Sequence, residues 1–84
     1  MDGDIRTKED VDEWYQLALK ILGESLRLLS REEVLRNKDN YRKAFSGIDY
    51  MRGVLYSNLG EDSSVQRTDF KSFMAKYNLE DIVD

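Results

Sequence analysis

The sequence predicts an all-α fold, a small antiparallel bundle of three main helices with room for a short fourth. Apolar residues recur at helical spacing in three segments, and polar joints rich in helix-capping residues separate those segments. No stretch alternates between apolar and polar residues as a strand would, and the chain contains no proline to interrupt a helix. Together these observations assign the chain to the all-α class.

The chain is long enough for a single small core. Leu, Ile, Val and Phe supply 22 of its 84 residues, a share above the range in which chains stay disordered. A chain of this length buries enough surface for one core and too little for two. We therefore expect one helical domain over residues 1–84, with disordered tails at 1–6 and 80–84.

The first predicted helix begins at Thr7 and is unusually apolar. Thr7 and Asp10 have the spacing of a capping box, in which each side chain accepts a hydrogen bond from the other's backbone N–H. At about 100° per residue, the apolar positions from Val11 to Leu29 cover an arc twice as wide as that of an ordinary surface helix. A narrow ridge lies opposite, formed by Gln16, Lys20, Gly23 and Arg27. This helix therefore needs cover from two sides, either inside a bundle or at an oligomer interface.

The polar segment after the first predicted helix contains a second capping pattern. Ser30 and Glu33 form a second capping-box pattern, which predicts a short helical turn carrying Val34 and Leu35. The polar run 37–40 is rich in residues that cap helices. It predicts a loop followed by a new helix start.

Two further helices complete the prediction. The second long helix runs from about Asp39 to Leu59, because apolar residues keep helical spacing there, and Gly60 ends it. A third helix begins near Thr68, and Asn78 is its predicted stop. Its apolar stripe consists of Phe70, Phe73, Met74 and Tyr77.

The composition argues against catalysis and against a cofactor. The chain has no cysteine and no histidine, which removes thiol chemistry, disulfides, the usual zinc sites and the commonest general base. The sequence has no phosphate loop or dinucleotide motif, and helix capping explains its carboxylate pairs. We predict that the protein is not an enzyme and holds no cofactor and no metal.

The composition also bears on location. No apolar run approaches the roughly 18 residues that a membrane-spanning helix needs, and the first residues lack the apolar stretch of a secretory signal. We therefore expect a cytoplasmic protein that does not bind membranes.

Charge is unevenly distributed along a chain whose net charge is −4. The middle, residues 34–60, is basic, and its Arg42, Lys43 and Arg52 alternate with tyrosines. Such a pattern suits phosphate and base contacts, although a basic helix packed between acidic neighbours has the same pattern. Arg52 falls within the apolar sector of its helix, so it needs a partner inside the protein or an anion site.

The second long helix has an unusual face away from its apolar stripe. Small residues surround one tyrosine on that side, in a line that consists of Ser46, Tyr50, Gly53, Val54 and Ser57. A mid-helix glycine costs about 1 kcal/mol relative to alanine, so close approach of another backbone would account for Gly53. We predict that this face binds a partner protein.

The function predicted from these features is a small, acidic, non-catalytic interaction module that regulates or tethers a partner protein. Its partner is another protein or a second copy, which would cover the surplus apolar surface of the first helix. Three alternatives remain: a nucleic-acid-associated protein using the basic middle helix, an acidic inhibitor of a nucleic-acid enzyme, and a purely structural subunit of a larger assembly. The inhibitor would act through Asp10, Asp12 and Glu13.

Overall fold

A computed structural model describes residues 5–60 and 68–83, and every element in these ranges is helical. The elements, in chain order, are α1 (Lys8–Leu26), α2 (Arg31–Arg36), α3 (Lys38–Asn58), α4 (Phe70–Ala75) and a 3₁₀ turn (Glu80–Ile82). The all-α prediction is confirmed. Within the described ranges there are two long and two short α-helices where the sequence predicted three main ones, because α4 is only six residues long.

Both predicted capping boxes are present. Asp10 N donates to Thr7 Oγ1 at 3.2 Å, and Thr7 N donates to Asp10 Oδ2 at 3.0 Å. At α2, Glu33 N donates to Ser30 Oγ at 3.1 Å and Ser30 N donates to Glu33 Oε1 at 2.9 Å. Arg6 N also donates to Asp10 Oδ2 at 3.0 Å. The bond from Arg6 N and those from Thr7 lower the pKa of the Asp10 carboxyl, and the bonds from Ser30 lower that of Glu33, because these donors favour the charged form.

The first helix ends earlier than its apolar pattern predicts. Beyond Leu26, the N–H groups of Leu28 and Leu29 bond to carbonyls three residues back, as in a 3₁₀ turn. Ser30 then adopts an extended backbone conformation and caps α2. The predicted loop at 37–40 is also shorter. Only Asn37 separates α2 from α3, and its side-chain amide donates to the Glu33 carbonyl at 2.8 Å.

The predicted helix stops are correct. Gly60 follows α3 with a φ of 74°, and Asn78 follows α4 with a φ of 60°, both in the left-handed region that ends helices. After α4, Leu79 N bonds back to the Met74 carbonyl at 3.1 Å, as in a helix closed by a left-handed residue. Asp69 rather than Thr68 caps α4, and it accepts from Ser72 N at 2.7 Å.

The long helices α1 and α3 lie antiparallel, and α4 packs on one side of the pair. Asp12 near the start of α1 meets Tyr56 near the end of α3, whereas Ser25 near the end of α1 meets Tyr41 near the start of α3. The core between these helices and α4 centres on an aromatic cluster. Ring centroids of Phe45 lie 5.5 Å from Phe70 and 5.3 Å from Phe73.

The C-terminal segment is ordered where the sequence predicted a disordered tail. Residues 80–82 form the 3₁₀ turn, and Ile82 is buried in the core together with Leu79. Asp81 pairs with Arg31, and Arg42 donates to the Val83 carbonyl at 3.1 Å. The apolar residues of this segment therefore complete the core. Of the two predicted tails, residues 1–4 and residue 84 lie outside the described residues.

Candidate functional site

The most exposed apolar surface of α1 lies on one side of the helix. Leu17 is 57% exposed, Ile21 is 64% exposed, and Leu28, just beyond the helix end, is 85% exposed. We call these three residues the outer face. The opposite side, with Tyr15 and Leu19, is buried in the core. The sequence predicted cover on two sides of this helix. Both α3 and α4 pack against α1, and within the described residues no element covers the outer face.

Apolar and small residues are also exposed on α3. Met51 is 42% exposed, and Ala44 and Gly47 are also exposed. A groove of about 390 Å³ runs between the C-terminal half of α1 and the N-terminal half of α3. It is lined by Leu22, Ser25, Leu29, Asn37, Asn40, Tyr41 and Ala44.

A serine–tyrosine pair lies in this groove. Ser25 Oγ donates to the Leu22 carbonyl at 2.6 Å, so the Tyr41 hydroxyl, 2.8 Å away, donates to Ser25 Oγ. Both hydroxyl protons are therefore used within the protein. The groove offers a mainly apolar surface with its central polar atoms already hydrogen-bonded.

The small-residue face of α3 points away from the core. Tyr50 is 73% exposed, Ser46 and Ser57 are exposed, and Gly53 and Val54 are half-buried. A Cβ atom built on Gly53 would meet nothing within 4 Å, so no part of the described protein approaches this glycine closely. Its role in partner binding stays a prediction.

The close approach to a glycine occurs instead at Gly23. This residue is buried, and a Cβ atom there would overlap the hydroxyl and ring of Tyr77. The Tyr77 ring also lies 5.7 Å from the Phe73 ring and 5.4 Å from the Arg27 guanidinium. Sequence reasoning placed Gly23 on the polar ridge of α1 and missed this contact. An interior glycine was the available signal, but the same signal also pointed to Gly53.

The three basic candidates for anion contact have different environments. Lys43 is exposed. The Arg42 guanidinium lies 4.8 Å from the centre of the Phe70 ring and also donates to the Val83 carbonyl. Arg52 is 2% exposed. A surface phosphate therefore has no access to Arg52 in this structure, and phosphate binding at Arg42 and Lys43 stays a prediction.

Arg52 lies between two tyrosine rings. Its guanidinium carbon is 4.7 Å from the centre of the Tyr56 ring and 5.1 Å from that of Tyr15, distances at which cation–π attraction operates. The sequence correctly placed this arginine in the apolar sector of α3. The aromatic partners explain how a charge is retained there.

A tyrosine–carboxylate hydrogen bond adjoins this arginine. The Tyr56 hydroxyl is buried and donates to Asp12 of α1. Burial raises the pKa of Tyr56, the hydrogen bond and charge of Asp12 raise it further, and the Arg52 charge acts in the opposite direction. On the other side, the Tyr15 hydroxyl accepts from Thr68 N at 3.2 Å. The cluster thus links α1, α3 and the segment before α4.

The acidic residues of the inhibitor alternative have mixed roles. Asp10 caps α1 and Asp12 accepts from Tyr56, whereas Glu13 is exposed. Two of these three carboxylates therefore already serve the fold. Residues 5–60 and 68–83 contain no group of three or more acidic side chains arranged to hold a metal ion. None of the helices described in these ranges combines the length and apolarity required to cross a membrane.

Comparison of the chain with protein families, curated proteins and solved structures found no match. Function therefore has to be argued from the surfaces described above.

Proposed function

We propose that this protein is a small, non-catalytic helical module that binds another protein and thereby regulates or tethers it. The observation that carries the proposal is the outer face, where three large aliphatic side chains of one region remain in solvent. Single exposed apolar residues are ordinary, but several large ones on one side of a helix are typical of a surface that another molecule covers. Burial of this surface would provide the driving force for association.

The geometry favours a helical binding partner. Leu17 and Ile21 lie one helical turn apart, and the next residue of α1, Leu22, lines the groove between α1 and α3. An amphipathic helix inserts apolar residues of the same spacing into such grooves. A partner helix, or α1 of a second copy, would meet the outer face in this way.

The small-residue face of α3 would provide a second contact. Tyr50 projects from it and is 73% exposed. Tyrosine combines a large apolar ring with a hydroxyl and has few rotatable bonds to immobilise, which suits an interface anchor. The open space at Gly53 would allow another backbone to approach beside that ring.

A charge-neutral double variant tests the outer face. We expect L17Q/I21Q to abolish self-association at micromolar concentration, or capture of the partner, because it removes apolar surface from the contact. Sedimentation velocity measures the first, and affinity capture from the source cells with mass spectrometry measures the second. The unfolding free energy should change by less than about 0.5 kcal/mol per site. The matched control is Q16A/K20A, which alters exposed positions on the polar ridge of α1, about 100° around the helix from Leu17 and Ile21.

Site-specific photo-crosslinking gives a second readout. A photoreactive residue at Ile21 should yield a cross-linked species, whereas the same residue at Lys20 should not. If the wild type is a monomer and neither position cross-links to another protein, the outer face is idle surface and the proposal is wrong. If both double variants lose binding equally, the contact lies elsewhere.

A further inference from the structure

A cleft with an apolar floor and a cationic rim opens where the end of α1, α2 and the end of α4 meet. Its volume is about 450 Å³, within the range of small-molecule and peptide-end sites. The floor consists of Leu26, Val34 and Leu79, which are all buried, and the half-buried Leu29 contributes the more accessible apolar surface. The cleft is distinct from the outer face and from the groove between α1 and α3.

The charged side chains that line the cleft are all basic. Arg27, Arg31 and Lys76 contribute to its lining, and none of its lining residues is acidic. This is unusual for a chain with a net charge of −4. Arg27 has a carboxylate neighbour at the rim, because its Nε lies 3.5 Å from Glu24 Oε2. Both side chains of that pair are more than half exposed, and such pairs exchange readily for other partners.

One of the basic residues that line the cleft already pairs with a carboxylate of the chain. Asp81 places its carboxylate on Arg31, and the next residue, Ile82, buries its side chain in the core. Asp81 is not itself among the residues that line the cleft. Arg27 and Lys76 extend the same cationic lining across the cleft.

We infer that the cleft binds a carboxylate carried on a short apolar chain. The carboxylate would accept charge-assisted hydrogen bonds from Arg27 and Lys76, and the apolar chain would lie on the floor. Two sources have this chemistry: the carboxyl terminus of a peptide that ends in an apolar residue, and a free short-chain organic acid. The inference does not depend on the outer face.

Titration of the full chain at low salt, followed by backbone amide chemical shifts, tests the assignment. The probes are hexanoate, a short peptide ending in leucine with a free carboxyl group, the same peptide amidated, and inorganic phosphate. We expect hexanoate or the free peptide to shift the amides of Leu29, Val34 and Leu79. Whichever of the two binds more tightly identifies the source. The amidated peptide should bind at least about ten-fold more weakly than the free one, because it lacks the charge.

Two matched lysine variants, one within α4 and one just after it, distinguish binding in this cleft from general attraction of anions. Lys76 lines the cleft, whereas Lys71 is exposed on the same helix and does not line it. K76Q should weaken binding about ten-fold and K71Q should leave it unchanged. R27Q should weaken binding similarly, which provides a second variant at the same site.

Several results would overturn the inference. These are phosphate binding as tightly as hexanoate, equal affinity of the free and amidated peptides, equal losses in K76Q and K71Q, or no shift with any probe. The L17Q/I21Q variant should bind the probes like the wild type. Failure of this site is therefore distinguishable from failure of the proposed protein-binding function.

Discussion

Two sides of α1 carry aliphatic side chains of the same size and differ in what covers them. On the inner side, Leu19 and Leu26 are buried in the core together with Phe73. On the outer face, Leu17 and Ile21 remain more than half exposed. Both sides have the apolar residues of a buried surface, but the described chain provides a second layer for only one of them.

The length of the covering elements explains this difference. The six residues of α4 and the C-terminal segment lie on one side of the α1–α3 pair, and no comparable element of the described chain reaches the other side. Each half-exposed leucine or isoleucine forgoes about 1 kcal/mol that full burial would contribute. The inner side therefore holds the fold together, whereas the outer face is available for association.

Removal of Arg52 should cause the largest loss of stability, because its side chain is buried on the covered side of the molecule. R52A leaves a cavity between the Tyr15 and Tyr56 rings and removes both cation–π contacts. We expect the unfolding free energy to fall by about 3 kcal/mol, measured by urea denaturation with circular dichroism. The exposed Lys43 on the same helix provides the control.

K43A should change the unfolding free energy by less than about 0.5 kcal/mol. Equal effects of R52A and K43A would contradict the buried position of Arg52. R52M restores much of the lost volume without the charge, so it should recover part of the stability if packing between the rings dominates.

Gly23→Ala should have an intermediate effect on the free energy of unfolding, because Gly23 lies at the edge of the covered side of α1. Alanine gains about 1 kcal/mol of helix propensity, but its methyl group forces the Tyr77 ring from its place against Phe73 and Arg27. We expect a net loss of about 1 kcal/mol in thermal or urea unfolding. The sign should reverse in a Y77A background, where G23A meets no ring and should stabilise the protein. Equal effects in both backgrounds would show that Tyr77 does not pack on Gly23.

The contribution of Tyr56 to stability should decrease at alkaline pH. Its pKa is raised in the folded protein, chiefly by burial, so folding favours the protonated phenol. This contribution is fully present below the unfolded pKa of about 10 and is lost as pH rises through the higher folded value. The unfolding free energy of the wild type should therefore decline more steeply above about pH 10 than that of Y56F. Ultraviolet absorbance should show a late-titrating tyrosine that Y56F lacks; parallel pH profiles would refute this.

The smallest expected change in stability comes from a substitution on the uncovered surface of α3. Since a side chain at Gly53 meets nothing within 4 Å, G53L should stabilise the protein by just under 1 kcal/mol. If the small-residue face binds a partner, G53L should weaken that binding by steric clash, and G53A should retain most of it. The melting curve and the binding isotherm together check this. A destabilised G53L would place this face inside the protein, and unchanged affinity would exclude it from the interface.

The starts of α1 and α2 and the stops after α3 and α4 could be predicted from the sequence because their causes are local. A capping box needs two residues three positions apart, and Thr7–Asp10 and Ser30–Glu33 both form one. Gly60 and Asn78 stop their helices through their own backbone conformations. The apolar position of Arg52 was also predictable, since helical periodicity alone places it beside Phe45 and Ile48.

The burial of each side chain depended on contacts between distant parts of the chain. Gly23 and Gly53 are both mid-helix glycines, yet only Gly23 has a ring against it, because Tyr77 arrives from 54 positions further along. Likewise, Asp12 meets Tyr56 across 44 positions, which no local pattern encodes. The same holds for the cleft with the cationic rim, since α1, α2 and the segment after α4 contribute to one lining.

The sequence by itself therefore determined the all-α class, the helix caps and stops, and the surplus of apolar surface on α1. Those properties follow from backbone hydrogen bonding and from helical periodicity, which act within a few residues. Only the tertiary structure decided which side of α1 is covered, because that depends on where the short α4 and the C-terminal segment pack. It also decided that Arg52 lies between two tyrosines, since those rings come from two different helices.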